Sequence, residues 1–225
     1  MSKAKEIEGF NRLSRNYQLL SSITFGSTIL KSQFHYLSSV PTPTSILVIG
    51  GGTGELLVEL MEQYPNSQID WCDYSIEMIN KAKGKLSSNN SHQVNFINED
   101  ILNFENLKQY ELICSMFVLD CFIEDDLEIL IKRLKIFSNK ATYIIITDFN
   151  IPQKLIPKII AKLVVSFLYL VFNRFYHLRN QTLMDYEKEF KKYGFKSLES
   201  KSFINGIIKS TIYSLDHKKT PHLKR

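Results

Sequence analysis

Cysteine is scarce in this chain: Cys72, Cys114 and Cys121 are the only three among 225 residues. The count is odd and no pair has metal-ligand spacing, so neither a disulfide framework nor a zinc site is expected. Buried free thiols in a reducing compartment are the simplest account. Long apolar runs are lacking too. "LVVSFLYLVF" is the longest, well short of the roughly 20 residues a membrane-spanning helix needs. The start, "MSKAKEIEGFNRL", is too polar for a signal peptide. A soluble cytoplasmic protein is the expectation. No low-complexity run, charge block or internal repeat points to extended disorder or a solenoid. The formal charge is only +5, and part of it sits in the final "HKKTPHLKR". A nucleic-acid binder carries a denser basic face, so no nucleic-acid partner is expected and the tail reads as a solvated terminus.

What is present suits one domain. Hydrophobic residues make up 44% of the chain, enough for a sizeable core. Residues 1–44 read as a helical cap, with Phe10, Leu13, Tyr17 and Leu20 at helical spacing and Gly26 between two helices. "VPTPT" ends that pattern. Over 45–149 strand and helix alternate: "ILVI", "ELLVELMEQY", "QIDWCD", "SIEMINKAKGKL" with Ser75 as N-cap, "QVNFIN", "YELICSMFVL", "EDDLEILIKRLKIF" and "ATYIIIT". Such alternation predicts a parallel sheet with helices on both faces and right-handed crossovers. Residues 150–181 read as an apolar helical insertion. Residues 182–216 add a helix, with Thr182 as N-cap and Gly194 at its end, and two strands joined by "ING". Residues 217–225 form the basic tail.

The first strand runs into four glycines within five residues, Gly50, Gly51, Gly52 and Gly54. A phosphate-binding loop of the Walker type needs Lys-Ser or Lys-Thr after the last glycine. Glu55 and Leu56 stand there instead. A dinucleotide fingerprint needs G-x-G-x-x-G, and position 55 is a glutamate that a pyrophosphate would repel. The pattern points to a ligand without phosphate at that place, and S-adenosylmethionine meets that description, with the backbone packed against its ribose and methionine portion. Asp73 ends the second strand roughly 20 residues later, where an acidic side chain accepts ribose hydroxyls. Asp70 is the competing carboxylate. Asp100, or Glu99 through its backbone, is placed to meet the adenine amine.

The segments "ILVIGGGTGEL", "DYSIEMINKA", "VNFINEDILNF" and "YELICSMFVLDCF" resemble, in order and spacing, the class I S-adenosylmethionine-dependent methyltransferases. The resemblance covers roughly residues 45–150. At the flanks, "FNRLSRNYQLLSSITFG" and "YGFKSLESKSFINGII" resemble the ubiquinone/menaquinone-biosynthesis group. The resemblance implies a Rossmann-like seven-stranded sheet with its last strand antiparallel. It also implies a cofactor-binding set of Gly50, Gly51, Gly52, Gly54, Asp73, Tyr74, Asp100, Ile101, Met116 and Phe117. Two positions depart from the pattern. Val48 stands where the family has an acidic residue, for which Glu55 is the candidate substitute. Asp120 stands where the quinone group has an arginine.

Methyl transfer to oxygen or carbon often needs a base. Asp120, following the fourth strand, is the first candidate. Asp148, which follows the fifth strand, His35, His177 and Tyr17 are the others, and Asp148 reads more readily as a loop cap or brace. In 154–176, Lys154, Lys158, Lys162 and Ser166 form one stripe opposite Leu155, Ile159, Ile160, Leu163, Phe167 and Leu170. That helix suits a lid over a hydrophobic small-molecule acceptor, including one delivered from a membrane surface. A non-catalytic adenosyl-binding protein and an NAD-dependent oxidoreductase are the alternative readings.

Overall fold

The computed structural model describes residues 27–86, 91–152, 158, 159, 161 and 186–215. The expectations for the segment before residue 27, for most of 150–181 with its lid helix, for Tyr17, His177 and Thr182, and for the 217–225 tail fall outside these residues.

Seven strands form one sheet: β1 (Ser45–Ile49), β2 (Gln68–Asp73), β3 (Val94–Asn98), β4 (Leu112–Met116), β5 (Tyr143–Phe149), β6 (Phe195–Phe203) and β7 (Ile208–Leu215). Their order is β3-β2-β1-β4-β5-β7-β6. β1 to β5 run parallel, and β7 runs antiparallel to both of its neighbours. The described helices are α1 (Thr28–Phe34), α2 (Glu55–Gln63), α3 (Ile76–Lys83), α4 (Glu124–Phe137) and α5 (Tyr186–Lys192).

The central strands are continuously apolar because both of their faces are covered. On one face Ile46, Val48, Trp71, Cys114 and Ile145 meet Leu56, Leu57 and Leu60 of α2 and Leu37 beyond α1. On the other, Leu47, Ile49, Ile113, Ile144 and Ile146 meet Leu127, Leu130, Ile131 and Leu134 of α4 and Phe190 of α5. The 127/130/131/134 spacing is one stripe of a 3.6-residue period. Glu124, Asp125 and Asp126 fill the first turn of α4, where the helix dipole favours negative charge. The Ser75 Oγ accepts the Met78 amide at 3.3 Å and caps α3 as its sequence suggests. β6 is an edge strand with exposed lysines, which discourages further pairing.

β1 lies between β2 and β4, so the chain leaves the first strand in one direction and returns on its other side. The loops after β1 and β4 therefore diverge at the carboxyl edge of the sheet and open a crevice there. One sequence expectation is corrected here. Asp148 does not follow the fifth strand but lies within β5, held by the ladder to Lys209 of β7.

Candidate functional site

The glycine turn after β1 forms one wall of the crevice. Gly50, Gly52 and Gly54 have φ of 61°, 65° and 93°, a region that side-chain-bearing residues avoid. The four glycines answer different needs. A Cβ on Gly51 would lie 2.0 Å from the Trp71 ring, one on Gly50 2.4 Å from Val118, and one on Gly54 2.8 Å from the Ala82 backbone. At these three positions the protein itself leaves no room for a side chain. A Cβ on Gly52 would meet nothing within 4 Å. Gly52 is thus the glycine that faces open space.

Asp73 ends β2 directly beside this turn. Its Oδ2 accepts the Gly52 amide at 2.8 Å and its Oδ1 accepts the Ser75 amide at 2.8 Å. One carboxylate therefore ties the glycine turn to the start of α3. An ionised carboxylate has about four lone-pair positions, so both oxygens retain capacity for two ribose hydroxyls. Asp73 is 9% exposed. Burial pushes its pKa up, against the pull of the two amides. Behind it, Asn98 of β3 donates from Nδ2 to the carbonyls of Asp73 and Tyr74, at 3.1 Å each. Asn98 was not singled out from sequence. The signal that points to it is register: it ends its strand opposite Asp73.

The rival carboxylate, Asp70, is engaged elsewhere. It accepts Lys108 Nζ at 2.9 Å, Tyr110 Oη at 2.7 Å and Asn95 Nδ2 at 3.0 Å. Burial pushes its pKa up, but these three hydrogen bonds and the Lys108 charge outweigh that, and the net shift is downward. Beyond β3, Asp100 Oδ1 accepts the Leu102 amide at 3.0 Å in a side-chain-stabilised turn. The Ile101 side chain is buried in the core with Cys72 and Phe104. Asp100 thus forms the turn after β3, and Ile101 anchors it.

Opposite the glycines, Met116 ends β4 and is buried. Phe117 follows with φ of 59°, a left-handed conformation that costs a bulky residue about 1–3 kcal/mol. The strain is held by its amide, which donates to the Thr147 carbonyl at 2.7 Å. Its ring meets Phe149 at 5.1 Å between centroids. Asp120 lies in the short turn Leu119–Cys121 that follows, 9% exposed. Asp148 is 1% exposed and accepts the Leu119 amide at 2.9 Å and the Phe149 amide at 2.7 Å. Burial raises the pKa of Asp120. Burial and the neighbouring Asp120 raise that of Asp148. Two close buried carboxyls resist carrying two charges together.

Other sequence candidates lie apart from this constellation. His35 is exposed at the end of α1 and meets the rings of Tyr36 and Phe203, with centroids at 4.5 and 5.5 Å. Burial and Lys201 lower its pKa. Phe203 ends β6 at the far side of the sheet, so His35 is removed from the crevice between β1 and β4. Glu55 binds Lys85 Nζ and Thr53 Oγ1, each at 2.6 Å. Its charge is paired with that of Lys85. Val48 itself is core, 1% exposed.

Residues 47–136 match the family described as "Methyltransferase domain". The chain is 42% identical over 71 residues to malonyl-[acyl-carrier protein] O-methyltransferase 2 of Ilyobacter polytropus, covering 32% of this chain and 27% of that one. The chain thus spans about a quarter of the length of the curated relatives it matches. Among solved structures, mitomycin 7-O-methyltransferase MmcR aligns with TM-score 0.66 at 13% identity, over 91% of this chain and 60% of the other. Human N-acetylserotonin methyltransferase in complex with S-adenosylmethionine aligns with TM-score 0.63 at 17% identity, over 96% and 57%. Residues 47–136 thus match a methyltransferase-domain family, and the seven-stranded sheet, with the glycine turn and Asp73 beside it, has the fold of these S-adenosylmethionine-dependent methyltransferases.

Proposed function

We propose that this protein methylates an oxygen or carbon atom of a hydrophobic small molecule, aromatic, lipid-like or quinone-like in character. S-adenosylmethionine supplies an electrophilic methyl group when bound. The residues that would hold it are Asp73 and Tyr74 at the end of β2, the Gly50–Gly54 turn, Asp100 and Ile101 after β3, and Met116 and Phe117 after β4. Asp73 keeps two acceptor positions free of its backbone bonds. Gly52 leaves open space in front of the turn. Both features fit an adenosyl ligand.

The observation that carries the acceptor reading is the surroundings of Asp120. A largely buried carboxyl with a raised pKa follows Phe117 in the same turn, and the Phe117 ring meets that of Phe149. A raised pKa strengthens a carboxylate as a proton acceptor near neutral pH. Such an aromatic pair would favour an apolar partner. Asp120 would receive the acceptor's proton, and the strained Phe117 turn would hold the acceptor and the carboxyl in register. The O-methyltransferase names of the relatives agree with an oxygen nucleophile.

The test uses methyl-labelled S-adenosylmethionine, the purified protein and a fractionated cell extract. Label is expected in an organic-solvent extract only when protein is present. Label confined to protein or nucleic-acid fractions would exclude the hydrophobic acceptor. Tight cofactor binding with no transfer to any fraction would favour the non-catalytic adenosyl-binding alternative.

A further inference from the structure

We propose that Asp148 is a positioning residue: it fixes the turn after β4 so that Phe117 faces the cofactor and Asp120 faces the acceptor. The inference rests on the methyltransferase reading of this crevice and adds a residue on a different strand.

The geometry is specific. Asp148 belongs to β5, yet its Oδ2 takes the amide of Leu119, 29 residues earlier in sequence. Its Oδ1 takes the amide of Phe149. The Asp120 amide also donates toward the same carboxyl. One side chain therefore gathers backbone donors from the ends of two strands. The turn it grips begins at Phe117, in the left-handed region, and contains Asp120. A residue in that conformation persists only where its neighbours hold it. Two contacts do so here: the Phe117 amide on Thr147, the residue preceding Asp148, and the carboxyl of Asp148 on the two residues that follow Val118. The first fixes where the turn leaves β4. The second fixes where it goes next, and so where the Asp120 side chain is delivered.

A hydrophobic residue at 148 would leave these amides without an acceptor in a nearly sealed place. An unpaired charge there is itself unfavourable, and burial together with Asp120 pushes the Asp148 carboxyl toward its protonated form. A protonated carboxyl still accepts at both oxygens. The clamp is therefore retained whichever of the two acids carries the proton.

Asp148→Asn keeps the shape and one acceptor oxygen, and Asp148→Ala keeps neither. S-adenosylmethionine is the probe, titrated by calorimetry, with hydrogen exchange of the Leu119 and Asp120 amides measured in parallel. Ile144→Ala, in the same strand but in the core, serves as the control for a general loss of stability. The expected order of affinity is wild type, then Asn, then Ala, with Ala weakened at least tenfold and Ile144→Ala unchanged. The two amides should exchange faster in the same order. Unaltered affinity in a folded Asn variant, or an equal loss in Ile144→Ala, overturns the positioning role and leaves the methyltransferase reading intact. A wild-type protein that does not bind the probe overturns the cofactor reading instead. In that case, faster Leu119 and Asp120 exchange in the Asn variant supports the clamp, and unchanged exchange refutes it.

Discussion

Gly52→Ala separates the backbone's need for glycine from the cofactor's. The left-handed φ of 65° costs an L-residue about 1–2 kcal/mol. The added Cβ meets no protein atom within 4 Å, so no clash adds to this. For a chain of this size each kcal/mol lowers the melting temperature by roughly 2–4 °C, giving an expected loss of about 2–8 °C. If the open space in front of Gly52 is where the adenosyl ligand lies, the same methyl intrudes on it. Overpacking a fitted contact typically costs about 1–3 kcal/mol, equivalent to a roughly 5- to 150-fold weaker dissociation constant. Trp71 is the single tryptophan of the chain and lies under Gly51, so its fluorescence is a natural reporter for titration with S-adenosylmethionine. Gly194→Ala is the control: its φ is 87° and its Cβ position is also open, but it lies between α5 and β6. It should lose similar stability and no affinity. A Gly52→Ala protein that melts as expected yet binds the cofactor like wild type would refute the placement of the ligand at this turn.

Gly51→Ala should behave differently from both, because its Cβ would lie 2.0 Å from a fully buried indole; little soluble folded protein is expected on expression and circular dichroism. Asp73→Ala should weaken S-adenosylmethionine binding at least about tenfold, because hydrogen bonds to a charged acceptor contribute roughly 1.5–3 kcal/mol each. It should also lower the melting temperature, since the Gly52 and Ser75 amides lose their acceptor; full affinity in the variant would remove Asp73 from the site. Asp120→Asn should reduce turnover of an identified acceptor about 10²-fold or more with cofactor affinity retained, and equal single-turnover rates would leave Asp120 without a proton-transfer role. Asp70 has a lowered folded-state pKa, so its stabilisation is fully present above the ordinary carboxylate pKa and is lost as pH falls through the depressed one. Asp70→Asn should therefore melt below wild type at neutral pH, and the gap should close in strong acid; a gap that widens on acidification contradicts the Lys108–Tyr110–Asn95 network as its cause.

Much of the architecture was legible in order along the chain. The alternation of short apolar runs with amphipathic helices defines a parallel sheet because only a strand covered on both faces tolerates runs such as "YIII". Ser75 and Gly194 announce their helix ends by local chemistry alone, one as a side-chain acceptor and one through a positive φ. The end-of-strand position of Asp73 is likewise a local property. What spacing could not supply was direction. Four adjacent glycines look alike in sequence, yet three give way to Val118, Trp71 and Ala82 and one faces open space, because the neighbours come from other strands and helices. Glu55 looks like a free acid until the turn after α3 brings Lys85 against it. Asp70 and Asp73 lie three residues apart, and the pleat together with Lys108, Tyr110 and Asn95 engages one and leaves the other at the glycine turn. Asp148 gains its grip on Leu119 only because β4 and β5 pair in parallel, with Met116 opposite Thr147 and Asp148 next along β5. Local propensity and periodicity act within a few residues and so can be read from the chain. The partners that assign each carboxylate its task are dozens of residues away, and only the packed sheet brings them within hydrogen-bond reach.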